Sequence, residues 1–182
     1  MEDAPILDSN FPLFFPSLAA PLTGPEKEGA GEWLAAAAAA ATHATCLQRR
    51  CGSVVVKNDK VIGAGWNSLP GDECPLVCWK KHGDLSTVFK SDRTCCVHAE
   101  VRAITNALLA KENISGATLY FTSVDEKGRR HFSGAPYCTI CSKFALEVGL
   151  GFFVLEHDFG VVSYPCDVYN KLSFSYGLRR EI

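Results

Sequence analysis

Between residues 32 and 176 the spacing of apolar side chains changes period repeatedly, and this alternation narrows the possible architectures more than any other feature. From Glu32 to Arg50 the alanines, Leu34, Leu47 and the lack of internal Gly or Pro predict a helix. Ser53-Val54-Val55-Val56 and Val61-Ile62 flank Asn58-Asp59, the pattern of a tight hairpin. Val97, Val101, Ile104 and Leu108 recur at helical spacing, and Thr118 to Thr122 reads as a strand. Ile140, Phe144 and Val148 mark a third helix that Gly149 can stop. Gly151 to Leu155 supplies another strand, and Val168, Leu172 and Tyr176 a closing helix. The order predicts a three-layer α/β/α sandwich, with a mixed sheet that starts as an N-terminal β-hairpin and continues in parallel strands joined by right-handed crossovers.

A chain of 182 residues supports one ordinary domain. Residues 1–28 hold Pro5, Pro12, Pro16, Pro21 and Pro25 with Phe11, Phe14 and Phe15 between them. That composition breaks helices and strands, so we expect a flexible arm over 1–28, either a tail or a partner-docking segment, and a folded domain over 29–182. The stretch 67–94 has no periodicity, and a loop that long is functional or pinned by something. Ser123 to Gly134 reads as an exposed excursion.

The formal charge of -2 lacks the cationic excess that holding nucleic acid by bulk electrostatics requires, which favours a small ligand over a stable nucleic-acid complex. No apolar run is long enough to cross a membrane, and the start shows no secretory signal. Nine cysteines is an odd and high number. In a reducing, cytoplasmic setting such thiols bind metal or do chemistry more often than they crosslink.

The chemistry concentrates in two short runs. His98-Ala99-Glu100 opens one predicted helix, and Pro136-Tyr137-Cys138-Thr139-Ile140-Cys141 opens another about 40 residues later. One imidazole and two thiolates give three ligands for a tetrahedral Zn2+, with the fourth position open to water as in catalytic sites. Zinc lowers the pKa of such a water towards about 7. Glu100, two residues past the histidine, can serve as general base and acid without ligating.

These runs resemble the signature of the cytidine and deoxycytidylate deaminase superfamily, His-x-Glu followed by Pro-Cys-x-x-Cys. The resemblance covers roughly residues 32–176 and is nearest to the dCMP deaminase branch. Its carriers are Gly65-Trp66-Asn67-Ser68-Leu69-Pro70-Gly71, the lead-in from Cys46 to Val56, and Arg93 to Glu100. It implies the cytidine deaminase fold, His98, Cys138 and Cys141 as zinc ligands, Glu100 as proton shuttle, Asn67 as a contact to the nucleoside, and a homo-oligomer. The implied reaction is hydrolytic deamination of a cytosine nucleotide, dCMP to dUMP, with release of ammonia. Tyr137 stands where the family places proline, and Arg102 where the branch usually has Asn. Arg102 could hold a phosphate or be solvated.

Cys74, Cys78, His82, Cys95 and Cys96 lie on or beside the long loop and could hold a second, structural zinc, as some dCMP deaminases do; the alternative is thiols packed as small apolar groups. Cys46, Cys51 and Cys166 read as core residues, and His43 and His157 as structural or surface histidines. Lys80-Lys81-His82 and Arg129-Arg130-His131 are possible phosphate or nucleic-acid contacts, more commonly solvated; Tyr164, Tyr169, Phe174 and Tyr176 are core or base-stacking aromatics. The rival functions are deamination of free cytidine or deoxycytidine, of a base or pterin-type ring, or of cytosine or adenosine in nucleic acid. A noncatalytic zinc-binding interaction module is the rival from outside enzymology.

Overall fold

Asn58 and Asp59 adopt left-handed conformations, φ 50° and 53°, and turn the chain between β1 (Arg50–Lys57) and β2 (Lys60–Trp66). This is the two-residue hairpin read from the sequence. The computed structural model describes Ala19, residues 21–73 and residues 95–178. Ahead of the hairpin lies α1 (Gly24–Ala41). It begins earlier and stops sooner than its composition predicts. Pro25 in the first turn removes only an N–H that has no helical partner there. At the other end the Thr42 hydroxyl donates to the Ala39 carbonyl at 2.7 Å, and a non-helical segment leads to β1. The arm boundary expected at residues 28 and 29 therefore falls inside α1. Phe11, Phe14 and Phe15 lie outside the described residues.

The remaining elements are α2 (Ala99–Leu109), β3 (Thr118–Val124), β4 (Arg130–His131), α3 (Thr139–Glu147), β5 (Phe152–His157), β6 (Gly160–Pro165) and α4 (Cys166–Leu178). The sheet runs β2-β1-β3-β5-β6, with β4 paired to β3. β1 is antiparallel to β2 and β3, and β3 is parallel to β5. The mixed α/β architecture is the one expected. The sequence reading omitted β6, which returns antiparallel from β5 through the Asp158-Phe159 turn, so only the β3–β5 junction is parallel. Ser123 and Val124, read as part of the excursion, are buried at the end of β3.

Alternation along the strands builds the layers. Val54 and Val56 face α1, where Ala37 packs on them, while Ala30 and Leu34 cover Val154 and Val161. Val55, Leu119, Phe153 and Leu155 face the other way, against Ile104, Ala145 and Leu172 of α2, α3 and α4. Each such Val, Leu, Ile or Phe side chain contributes roughly 1.5–3 kcal/mol by leaving water.

The stripe expected on α2 is displaced. Leu108 is 41% exposed, and the buried apolar residues are Ala99, Ala103, Ile104 and Ala107. Small residues are needed because α2 lies directly on β2: a Cβ on Gly63 or Gly65 would collide with the backbone of Ala103. This close approach sets α2, and the residues at its N-terminus, against the end of the sheet formed by Arg50, Trp66 and Val124.

Candidate active site

His98 occupies the N-cap of α2 and Cys138 the N-cap of α3, so both lie where chain direction changes and backbone N–H groups point outward. Cys141 follows one turn into α3, and its N–H donates to the Cys138 sulfur at 3.3 Å. The two helix starts meet. His98 Nδ1 lies 3.2 Å from Cys138 Sγ and 3.1 Å from Cys141 Sγ, and the sulfurs are 2.9 Å apart.

Bonds of about 2.0–2.3 Å to one tetrahedral ion space N and S donors by roughly 3.3–3.8 Å. The observed separations lie within about an ångström of that, and the donor set of one imidazole and two thiols is the one zinc favours, so the residues fit the ion. Among the described residues this is the one group of three metal-ligating side chains so placed.

Glu100 stands in the first turn of α2, 6% exposed, with its carboxyl beside the Cys141 thiol. Burial pushes Glu100 above the ordinary carboxylate range, against the opposing pull of His98. The two cysteines share one proton unequally. Cys138 drops to about 4, chiefly through its 2.9 Å contact with Cys141 Sγ, and Cys141 is held well above the usual thiol value by that contact and by burial.

A family model for the cytidine and deoxycytidylate deaminase zinc-binding region matches residues 28–156. The chain belongs to this family. A deoxycytidylate deaminase of Mycobacterium phage D29 is 38% identical over 96 residues, which is 50% of this chain and 73% of the phage protein. Two solved structures share the fold. A dCMP deaminase from cyanophage S-TIM5, in complex with dCMP and dUMP, superposes with a TM-score of 0.50 at 22% identity, over 72% of this chain and 82% of that one. Cytidine deaminase from Burkholderia pseudomallei gives 0.52 at 18% identity, over 76% and 94%. The protein is thus a zinc-dependent deaminase, and His98, Cys138 and Cys141 are its possible metal site.

In this deaminase the helix bearing Cys138 and Cys141 is braced from behind. The buried Ser142 hydroxyl lies 2.9 Å from Asn170 Oδ1 and 3.0 Å from the Ser173 hydroxyl, joining α3 to α4. Tyr169 stacks on Phe153, ring centroids 4.1 Å apart, and its phenol lies near the backbone of Tyr137, beside Cys138. Sequence reasoning weighed Tyr169 only as core or base-stacking. It is core, and it also backs the ligand turn. Tyr137, 63% exposed, meets Tyr176 edge to face at 5.0 Å.

Asn67 is buried, and its amide spans the start of β1: Nδ2 donates to the Arg49 carbonyl and Oδ1 accepts from the Cys51 N–H, both at 2.8 Å. A second amide hydrogen and one Oδ1 lone pair are left over. The Cys51 thiol is pushed up to about 12, first by burial and then by the charge of Glu100.

Cys46 was read as core, yet its half-buried thiol hydrogen-bonds to Cys96, whose sulfur is 3.9 Å from that of Cys95. No local spacing could have signalled this, since Cys46 and Cys96 are brought together only by the fold. Cys74, Cys78 and His82 lie outside the described residues, as does Lys80-Lys81. Arg129 and Arg130 pair with Asp125 and Glu156. His157 is buried against Tyr164, its Nε2 2.9 Å from the phenol oxygen.

A cavity of about 290 Å³ opens beside His98, lined by Pro70, Cys95, Cys96, Val97, Val101 and Ile140. A larger cleft of about 670 Å³ lies between α1 and the opposite face of the sheet and holds none of the candidate ligands. Of the candidate ligands, the smaller one borders His98.

Proposed function

We propose that this deaminase converts a cytosine nucleotide to the corresponding uracil nucleotide, dCMP to dUMP in the first instance, with release of ammonia. The observation that carries the reading is the buried Glu100 carboxyl set against three zinc-type ligands. The similarity to the phage deoxycytidylate deaminase supports the choice of substrate. When bound by His98, Cys138 and Cys141, zinc supplies a water made acidic enough to attack at neutral pH.

Every other step falls to the chain. Glu100 takes a proton from the attacking water and delivers it to N3 of the ring, as the water oxygen adds at C4. It then carries the water's second proton to the exocyclic amine. The C4–N bond breaks, ammonia leaves, and the added oxygen becomes O4 of uracil. A carboxyl whose neutral form is favoured by burial suits both halves of this shuttle. Asn67 uses its remaining amide hydrogen and lone pair on the nucleoside. A second, structural zinc belongs to the reading, its sulfurs drawn from Cys95, Cys96 and the preceding loop; two zinc ions per chain on metal analysis support it, and one excludes it. The enzyme works as a cytoplasmic homo-oligomer, without a stable nucleic-acid complex, and the residues ahead of α1 serve it as an arm.

Ammonia release from dCMP, deoxycytidine, cytosine, a pterin-type ring and single-stranded DNA, assayed side by side, tests the assignment. Fastest turnover of dCMP is the expected result. A preference for any of the others moves the substrate, and turnover of none by zinc-loaded protein refutes the reading.

A further inference from the structure

The loop that carries Asn67 is registered against the metal site by donors from both sides of His98. Val97, immediately before it, donates its N–H to the Ser68 carbonyl at 2.8 Å, within an isolated β-bridge. Arg102, one helical turn after it, donates its own N–H to the His98 carbonyl at 3.0 Å and extends its guanidinium back over the loop. Nη2 of Arg102 reaches the Leu69 carbonyl at 3.1 Å and the Ser68 carbonyl at 3.5 Å. The same side chain faces Asp72, with Nη1 3.9 Å from Oδ1.

Asp72 gathers the rest of the loop. Its Oδ1 accepts from the Trp66 indole at 2.8 Å and from the Ser68 hydroxyl, so residues on either side of Asn67 end on one carboxylate oxygen. Gly71 and Asp72 both hold positive φ, 75° and 63°, which curls the turn back to make this possible. The ion pair is long and Asp72 is partly exposed, so charge contributes little; the two carbonyl bonds carry the attachment.

We infer that Arg102 is a positioning residue that locks the Trp66–Asp72 loop to the helix bearing His98, and so fixes Asn67 with respect to the metal. The inference rests on the proposed nucleotide deamination for its catalytic consequence. It assigns a different duty from direct phosphate binding, because Nη2 is committed to the loop carbonyls and Nη1 faces Asp72. The Nε of Arg102 is buried and without a partner among the described residues.

The experiment compares wild type with Arg102→Met and Arg102→Lys, all zinc-loaded, on dCMP and on deoxycytidine. Arg102→Met is expected to raise KM about tenfold or more on both substrates alike, with kcat within about threefold and zinc content unchanged. Arg102→Lys, which keeps a cation but not the planar fork, is expected to recover part of the loss. A KM defect confined to dCMP would make Arg102 a phosphate contact and overturn the inference, as would unchanged KM or loss of zinc.

The Trp66 indole N–H gives a readout that does not depend on turnover. Its solvent exchange, followed by NMR, is expected to accelerate in Arg102→Met; unchanged exchange overturns the inference even if the wild type acts on neither substrate. Absence of wild-type turnover, with exchange accelerated, refutes only the proposed function.

Discussion

The carboxyl of Glu100 is buried beside the thiol of Cys141, a candidate ligand supplied by a different helix and 41 residues further along the chain. Proposed proton carrier and candidate ligand are thus neighbours across the α2–α3 junction. The residue two positions past His98 is directed into the site by the geometry of a helix start, where the N-cap and the first turn share one end of the cylinder.

Glu100→Gln preserves shape and removes the exchangeable acid. Zinc content is expected to stay near wild type, while kcat falls by at least about 10²–10⁴-fold, the usual worth of general acid–base catalysis. Metal analysis alongside single-turnover kinetics checks both halves.

Zinc has to displace the proton that Cys138 and Cys141 share. Cys138 is already thiolate above about pH 4, whereas Cys141 keeps its proton well past the ordinary thiol range. Apparent zinc affinity is therefore expected to rise about tenfold per pH unit across neutral pH, with one proton released per ion. Competition with a chelator at several pH values measures the slope, and a flat profile contradicts the shared proton.

His157 supplies a pH effect of folding. Burial drops it to about 4 from an ordinary value of 6.5. The unfolded chain binds this proton first, so the stabilisation is complete above about pH 6.5 and is lost as pH falls towards 4. Its size is on the order of 2–3 kcal/mol, and urea melts of wild type and His157→Gln should converge over that window.

Gly65→Ala tests the seat of α2. A Cβ there meets the backbone of Ala103 and Ala99, which cannot yield as a flexible side chain would. A loss of about 2–3 kcal/mol or more is expected on thermal unfolding. Gly29→Ala, in open space on α1, should cost nothing and can gain from helix propensity.

Much of this was written in local spacing. The hairpin turn at Asn58-Asp59, the stop at Gly149 (φ 78°) and the two ligand-bearing helix starts each depend on a few adjacent residues, and each stands where the sequence puts it. What escaped depends on contacts between distant segments. The stripe of α2 shifted from Leu108 to the alanines because Gly63 and Gly65 admit a helix backbone, which no helical period reveals. β6 is as long as β5, but it starts at Gly160 directly after the Asp158-Phe159 turn and ends at Pro165, residues that punctuate rather than announce a strand. Cys46 meeting Cys96, and Tyr169 reaching Tyr137, are likewise products of the fold.

The most direct test is the crystal structure of the zinc-loaded protein soaked with the product nucleotide dUMP, read together with turnover of dCMP. A single ion shared by His98, Cys138 and Cys141, with the uracil ring between it and Glu100, is the predicted result. An ion held elsewhere, or a Glu100 carboxylate directed away from the ring, would contradict the account.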